Sequence, residues 1–264
     1  MKSFLYILFN EVKRFFTIKE YRTLLLLALK YGGSKRYEKK EVRFNGRTFL
    51  VADFKSFFWQ YKQIYVDKCY QFKTVNKNQI ILDCGANVGL SALFFSEYYP
   101  SAKIVAYEAD ANIFKYLSDN INGNKMQNVE AVQKAVWINN SGITFLMEGA
   151  DGGAVSTEGT AVESVSLKDE MAKYTSISLL KMDIEGAEVE VIQSVKNDLH
   201  KCENVFIEYH SFAGKQQYLH ELLTILANNG FRYYLKEEVV LSQPFITKGN
   251  PGPMDMQINI FAYK

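Results

Sequence analysis

The stretch IILDCGANVGLSALFF, residues 80–95, decides the fold. Ile80, Ile81 and Leu82 form a short apolar run suited to a buried strand, and Leu90 to Phe95 resumes as an apolar, helix-like run. Between them stand Asp83, Gly85, Asn87 and Gly89. Most strand-to-helix turns need only one glycine. Two of them beside an Asn and an Asp imply that something approaches the backbone closely here.

Downstream the two patterns keep alternating. KIVAYEA (103–109) reads as a strand, IFKYLSDNI (113–121) as a helix and VEAVQKAV (129–136) as a strand. GITFLME (142–148) and VESVSL (162–167) read as extra strands around the glycine-rich GADGGAVS (149–156). SISLLKMDI (176–184) precedes the helix AEVEVIQSV (187–195). NVFIEYH (204–210) precedes the helix QQYLHELLTILANNG (216–230), which Gly230 stops. This alternation predicts an α/β, doubly wound, mostly parallel sheet with helices on both faces. FRYYLKE (231–237) and MQINIFAYK (256–264) have no helix between them and should pair antiparallel at one edge.

Upstream, EVRFNGRTFLVADF (41–54) alternates and turns at Asn45-Gly46, a strong hairpin signal. Residues 4–16 put Phe4, Leu8, Val12 and Phe15 at helical spacing, and a second helix covers 20–30. The expected division is a basic, amphipathic helical extension over 1–40 and a catalytic domain over 41–264.

Charge supports that division. Residues 1–47 carry twelve Lys/Arg against four Asp/Glu, and the remainder nineteen against twenty-five, so a head of +8 sits on a body of −6. A basic head suits an anionic partner such as a membrane surface, and the bland alternative is a solvated extension. The longest N-terminal apolar run, Leu24 to Leu29, is six residues, far short of the roughly 20 that a spanning helix needs. Cys69, Cys84 and Cys202 are scattered and odd in number, which argues against a zinc site or a disulfide framework. With no cleavable signal, they point to a cytoplasmic setting.

In open α/β sheets, ligands bind beyond the carboxyl ends of the strands. Gly85 and Gly89 sit at such a place, with Asp83 and Asn87 as polar contacts. A dinucleotide fingerprint would read G-x-G-x-x-G. Here Asn87 stands at the middle glycine, which weakens the pyrophosphate reading. Glu108 ends the next strand, where an acid accepts hydrogen bonds from a ribose diol. Asp183, Glu185 and Glu188 cluster at a later strand end. Glu188 is explained by a helix dipole, whereas Asp183 is expected to point into the crevice. Glu208 and His210 share a strand face and emerge beside Asp183, and His210 is the preferred general base.

These residues resemble the FkbM family of class I, S-adenosylmethionine-dependent methyltransferases. The resemblance rests on DCGANVGLS (83–91), YEADANIFKYLSDNI (107–121), KAVW (134–137), LLKMDIEGAEVEVI (179–192), FIEYHSF (206–212) and the closing MDMQINIFAYK. It runs from about residue 42 to the end. The family usually places prolines after the acidic strand, where this chain has Ala109 and Ala111. The resemblance implies a seven-stranded, Rossmann-like sheet. It also implies a cofactor site of Asp83, Gly85, Ala86, Asn87, Gly89, Glu108, Ala109, Lys134, Ala135, Val136 and Asp183. In that site Glu108 holds the ribose hydroxyls, and Lys134 to Val136 lie near the adenine.

The expected reaction is methyl transfer to a hydroxyl of a sugar, glycan or related metabolite, with catalysis by His210, Asp183 and Glu208. A second mechanism holds a divalent ion on Asp183, Glu185 and Glu208. No nucleic-acid partner is expected, and peripheral membrane contact would run through residues 1–30. The competing readings are a Rossmann oxidoreductase, a cofactor-binding module without turnover, and a membrane-surface adapter.

Overall fold

A computed structural model describes residues 13–74, 77–147, 153–155, 159–238, 242–247 and 254–264. The expected stripe residues Phe4, Leu8 and Val12 lie outside the described residues, and so does most of the glycine-rich loop.

Helix α1 (Lys19–Tyr31) leads into a hairpin of β1 (Lys40–Phe44) and β2 (Arg47–Val51). Asn45 and Gly46 both take positive φ, +48° and +77°, the geometry of a two-residue turn that matches strand twist. Helix α2 (Phe54–Tyr61) follows, capped by Asp53, whose side chain accepts from the Ser56 amide, and it widens into a π turn over Lys62–Val66. Neither the helix nor the turn was expected from the sequence.

Then come β3 (Ile80–Cys84), α3 (Leu90–Tyr98), β4 (Lys103–Tyr107), α4 (Ala111–Gly123) and β5 (Val129–Val132). The strand expected over 129–136 is two strands. After β5 the chain leaves the main sheet, and β6 (Ala135–Trp137) pairs instead with β10 (Ser164–Ser166). A side sheet of β7 (Ile143–Met147), β8 (Gly153–Val155) and β9 (Thr160–Val162) lies between them. Leu167 opens helix α5 (Leu167–Ala172), so the expected 162–167 strand breaks there. The Ser166 hydroxyl accepts from the Asp169 amide as its cap. Next are β11 (Ile177–Met182), α6 (Glu188–Ser194), β12 (Cys202–Phe212), α7 (Leu219–Asn228), β13 (Arg232–Glu237) and β14 (Met254–Tyr263).

The central sheet has seven strands in the order β13-β14-β12-β11-β3-β4-β5. The inner pairs are parallel, and β14 runs antiparallel to both β12 and β13. This is a doubly wound, Rossmann-like sheet with an antiparallel edge pair. One apolar core joins α1, the hairpin, α2, α3 and α4 on one face; the other joins α5, α6 and α7 on the opposite face. Leu24 and Leu27 of α1 are buried in the same core as Val42, Phe44 and Phe49. Packing is therefore continuous across residue 40. All six residues of β11 are buried, Lys181 included.

Candidate active site

The parallel strands β3, β4, β11 and β12 deliver their carboxyl ends to one rim, and a cavity of about 290 Å³ opens there. That is the low end of the range for ligand pockets, roughly 300–1,000 Å³. Gly85, Ala86, Asn87, Glu108, Ala109, Lys134, Ala135, Val136 and Asp183 all line it, as do Glu185 and Glu208. Asp83, Gly89 and His210 do not line it.

The turn after β3 is folded over the end of β4. The Gly85 and Ala86 amides both donate to the Tyr107 carbonyl, at 3.1 and 2.8 Å. Gly85 has φ +83°, and a Cβ there would stand 1.7 Å from the Asp183 carbonyl oxygen. Gly89 has φ +90°, and its Cβ would stand 2.7 Å from Leu117 Cδ1. Gly85 is thus demanded by the approach of the Asp183 carbonyl and Gly89 by its left-handed backbone, so the tight turn expected here has its cause in the protein itself.

Asn87 also has positive φ, +50°. Its amide donates to Glu108 Oε2 at 2.9 Å, and the Asp110 amide donates to Glu108 Oε1 at 2.9 Å. Each oxygen of that carboxylate is fixed by one backbone donor on the cavity wall. Burial pushes Glu108 up to about 7, against the pull of these two amides.

Asp83 is fully buried. Its carboxylate accepts from Ser91 Oγ at 2.6 Å and lies 3.1 Å from Lys181 Nζ. It is a buried anchor behind the wall rather than a surface for a ligand. Lys181 also approaches Asp183 at 3.5 Å and donates to the Gly85 carbonyl at 2.7 Å. Burial opposes its charge, but Asp83 and Asp183 outweigh burial and raise its pKa. The sequence offered a signal for Lys181, since a lysine inside the apolar run ISLLKM must be paired.

His210 is buried. Its Nδ1 lies 3.0 Å from Glu188 Oε1, and its Nε2 lies 3.6 Å from Glu185 and 3.8 Å from Glu208. Burial disfavours a charged ring, yet Glu188, Glu185 and Asp183 outweigh it and lift the imidazole pKa well above its ordinary value. Glu188 was read as a dipole partner. It is fully buried and also accepts from the Ile184 and Gly186 amides at 3.2 and 2.9 Å. Burial and the Asp183 charge push Glu208 up to about 8. Gln257 on β14 donates to Glu208.

Sequence reasoning missed the opposite wall. Ser56, Trp59, Gln60 and Gln63 from α2 and the π turn line the cavity, together with Arg36 and Gln257. Trp59 is 53% exposed.

The family described as the methyltransferase FkbM domain matches residues 83–233. A relative named Methyltransferase sdnD from Sordaria araneosa is 30% identical over 62% of this chain and 78% of its own length. Methyltransferase 1 from Beauveria bassiana (strain ARSEF 2860) is 25% identical over 56% of this chain and 71% of its own. Among solved structures, that of M. jannaschii TYW2 in complex with AdoMet superposes with a TM-score of 0.48 at 14% identity, covering 88% of each chain.

Proposed function

The chain belongs to the FkbM methyltransferase family and is an S-adenosylmethionine-dependent methyltransferase, and from that premise we propose that it methylates a hydroxyl of a sugar, glycan or related hydroxylated metabolite. The observation that carries this reading is the Glu208 carboxylate on the same cavity wall as Asp183, where the proton of an acceptor hydroxyl can be taken up. A carboxyl whose pKa is raised to about 8 is a strong base once ionised, so turnover should rise as pH climbs toward about 8.

The residues fit the methyl donor. The Glu108 carboxylate has both oxygens steadied by backbone amides and stands ready to accept from a diol. Ala86, Ala109 and Ala135 leave room beside it for a flat base. Asp183 and Glu185 line the cavity and give a sulfonium a negative surrounding. Bound S-adenosylmethionine supplies the methyl group and a thioether leaving group. The chain's own work is then to position the acceptor and take its proton.

In this reading Glu208 takes the proton and Asp183 orients the acceptor hydroxyl. His210 stands behind the wall, so its part is to position the carboxylates rather than to touch the acceptor. Trp59, Gln60, Gln63 and Gln257 offer a ring face and neutral hydrogen-bonding groups to a hydroxylated acceptor. Incubation with labelled donor and a panel of free sugars, sugar nucleotides and glycans tests the proposal. The label should be found on oxygen by NMR of the product. Label recovered only on nitrogen or carbon would overturn it.

The proposal extends to location. Among the described residues no helix is long and apolar enough to cross a membrane. Peripheral contact with an anionic lipid surface is supported by the outer side of α1, where Leu25, Leu26 and Leu29 are exposed beside Phe16 and the exposed Lys13, Lys19 and Lys30.

A further inference from the structure

His210 carries more organisation than proton transfer by Glu208 requires. Its side chain is 1% exposed. Its Nδ1 is committed to Glu188, a buried carboxylate that already accepts from two backbone amides. An ionised carboxylate only accepts, so Nδ1 carries the hydrogen. Nε2 makes no hydrogen bond, since its nearest carboxylate oxygens lie at 3.6 Å (Glu185) and 3.8 Å (Glu208). A histidine kept only for structure would use both nitrogens. A carboxylate behind the ring is instead how metal-binding histidines are held, and a divalent cation at Nε2 would take the place of the proton that the surrounding acids keep there in the free protein.

We propose that Asp183, Glu185 and His210 bind a divalent first-row transition cation, with His210 Nε2 as the nitrogen ligand and Glu188 fixing the ring from behind. One ligand atom from each of the three residues lies within 4.8 Å of the others. Ligand atoms sharing an ion at ~2.0–2.2 Å sit ~3–4 Å apart, so side-chain rotation closes the difference. The donor set explains the choice of ion. One imidazole with two carboxylates suits Mn²⁺, Fe²⁺ or Zn²⁺, whereas Mg²⁺ and Ca²⁺ favour oxygen alone. Asp183 and Glu185 line the cavity while His210 does not. The protein ligands therefore approach from one side, and the ion's open positions face the acceptor space. There the ion would lower the acceptor's pKa and leave Glu208 to take the proton. That role rests on the proposed methyl transfer to oxygen, whereas the binding of the ion does not.

Mn²⁺ is the probe. Full-length protein is stripped with chelator, desalted and titrated with MnCl₂ while the paramagnetic resonance of free Mn²⁺ is recorded. One Mn²⁺ should bind per chain, and the spin-echo spectrum should carry the modulation of a directly bound nitrogen. Glu185→Gln should weaken binding by at least ~100-fold, and Glu188→Gln, which disturbs the ring's support and the bonds to the Ile184 and Gly186 amides without removing a ligand, by ~10–100-fold. His210→Gln should remove the nitrogen modulation. Calorimetry with S-adenosylhomocysteine on the same samples identifies folded protein and reads the cofactor site separately. Wild type that binds S-adenosylhomocysteine but no Mn²⁺ overturns the site. So does unchanged Mn²⁺ affinity in Glu185→Gln, or an echo spectrum without nitrogen. Methyl transfer to an atom other than oxygen would sink the acceptor assignment and leave the Mn²⁺ titration untouched.

Discussion

The two ends of the cavity are built from different materials. At the ends of β3 and β4 the architecture is backbone. Two amides fold the turn onto Tyr107, and two more hold Glu108. At the ends of β11 and β12 it is charge, with Asp183, Glu185, Glu188 and Glu208 gathered around one imidazole. Backbone dipoles fix the shape of a ligand and do not titrate. Packed carboxylates shift one another's pKa values and so set reactivity. The division matches a donor that must be held and an acceptor that must be activated. Lys181 joins the two ends, touching Asp83, Asp183 and the Gly85 carbonyl.

The comparison breaks if a change at the charged end alters donor binding. Glu208→Gln preserves the side chain's size and removes its capacity to take a proton. Turnover should fall by ~10²–10⁴-fold, and calorimetry should give nearly the wild-type affinity for S-adenosylhomocysteine. Parallel losses of turnover and affinity would mean that the two ends are one site.

Lys181→Met tests the joint. It leaves Asp83 and Asp183 without their shared cation, and removing one partner of a buried ion pair costs ~3–5 kcal/mol. Urea unfolding should show a loss of that order. In the double variant with Asp83→Asn the losses should fall short of additivity, because the two side chains share one interaction. A loss under ~1 kcal/mol would show that the ends stand independently.

What the sequence made legible follows the same divide. The backbone end is local: a strand, a glycine turn and an acid on the next strand lie within residues 80–108, and periodicity with glycine placement is enough to find them. What comes close to the glycine turn was not legible. Gly85 faces the Asp183 carbonyl, a neighbour about a hundred residues away in sequence, so its first duty is to let two strand ends meet. Gly85→Val is for that reason a test of folding and not of cofactor binding. The charged end was found as a set of residue types, but its order was not. Which nitrogen of His210 meets Glu188 depends on how α6 docks on β12. Helix α2 was missed although its cap, Asp53, and its buried Phe54, Phe57 and Tyr61 at helical spacing were present. Its place opposite the strand ends is a tertiary fact with no local signal.

Glu108 tests the backbone end. Glu108→Gln keeps one acceptor oxygen but presents an NH₂ group to an amide donor and weakens the bond to a diol. Affinity for S-adenosylhomocysteine should drop about tenfold or more, the value of one charge-assisted bond at ~1.5–3 kcal/mol, while the Mn²⁺ titration should stay unchanged. Wild type should also bind pH-dependently. Glu108 has a folded pKa of about 7, raised by burial from 4.5. Between those values the folded state holds a proton that the unfolded state has released, so the free protein loses stability as pH rises through that window. The ionised form accepts both diol hydrogens, so affinity should rise several-fold from pH 6 to pH 8. S-adenosylhomocysteine lacks the sulfonium charge, and the Glu108→Gln variant separates this slope from that of Glu208, which titrates in the same range. A flat profile in wild type, or the same slope in Glu108→Gln, would remove Glu108 from the donor site.

The smallest effect concerns a surface remote from both ends. Leu24 and Leu27 bind α1 to the core while Leu26 and Leu29 remain 64% and 84% exposed, so the helix has one partnered side and one free side. Removing residues 1–40 would strip the cover from Val42 and Phe44 and confuse unfolding with lost lipid binding. The cleaner change is Leu26→Ser with Leu29→Ser, which leaves the packed side intact. Wild-type protein should sediment with phosphatidylserine-containing vesicles at low salt and release at high salt, because attraction of the basic head to anionic lipid is screened. The double variant should bind at least several-fold more weakly, since both Leu side chains together forfeit a fraction of the ~1.5–3 kcal/mol that full burial of each would contribute. Turnover on a soluble acceptor should not change, because neither side chain reaches the cavity. Wild type that stays in the supernatant at low salt would leave α1 as a packing element, and the basic head would then have no lipid to meet.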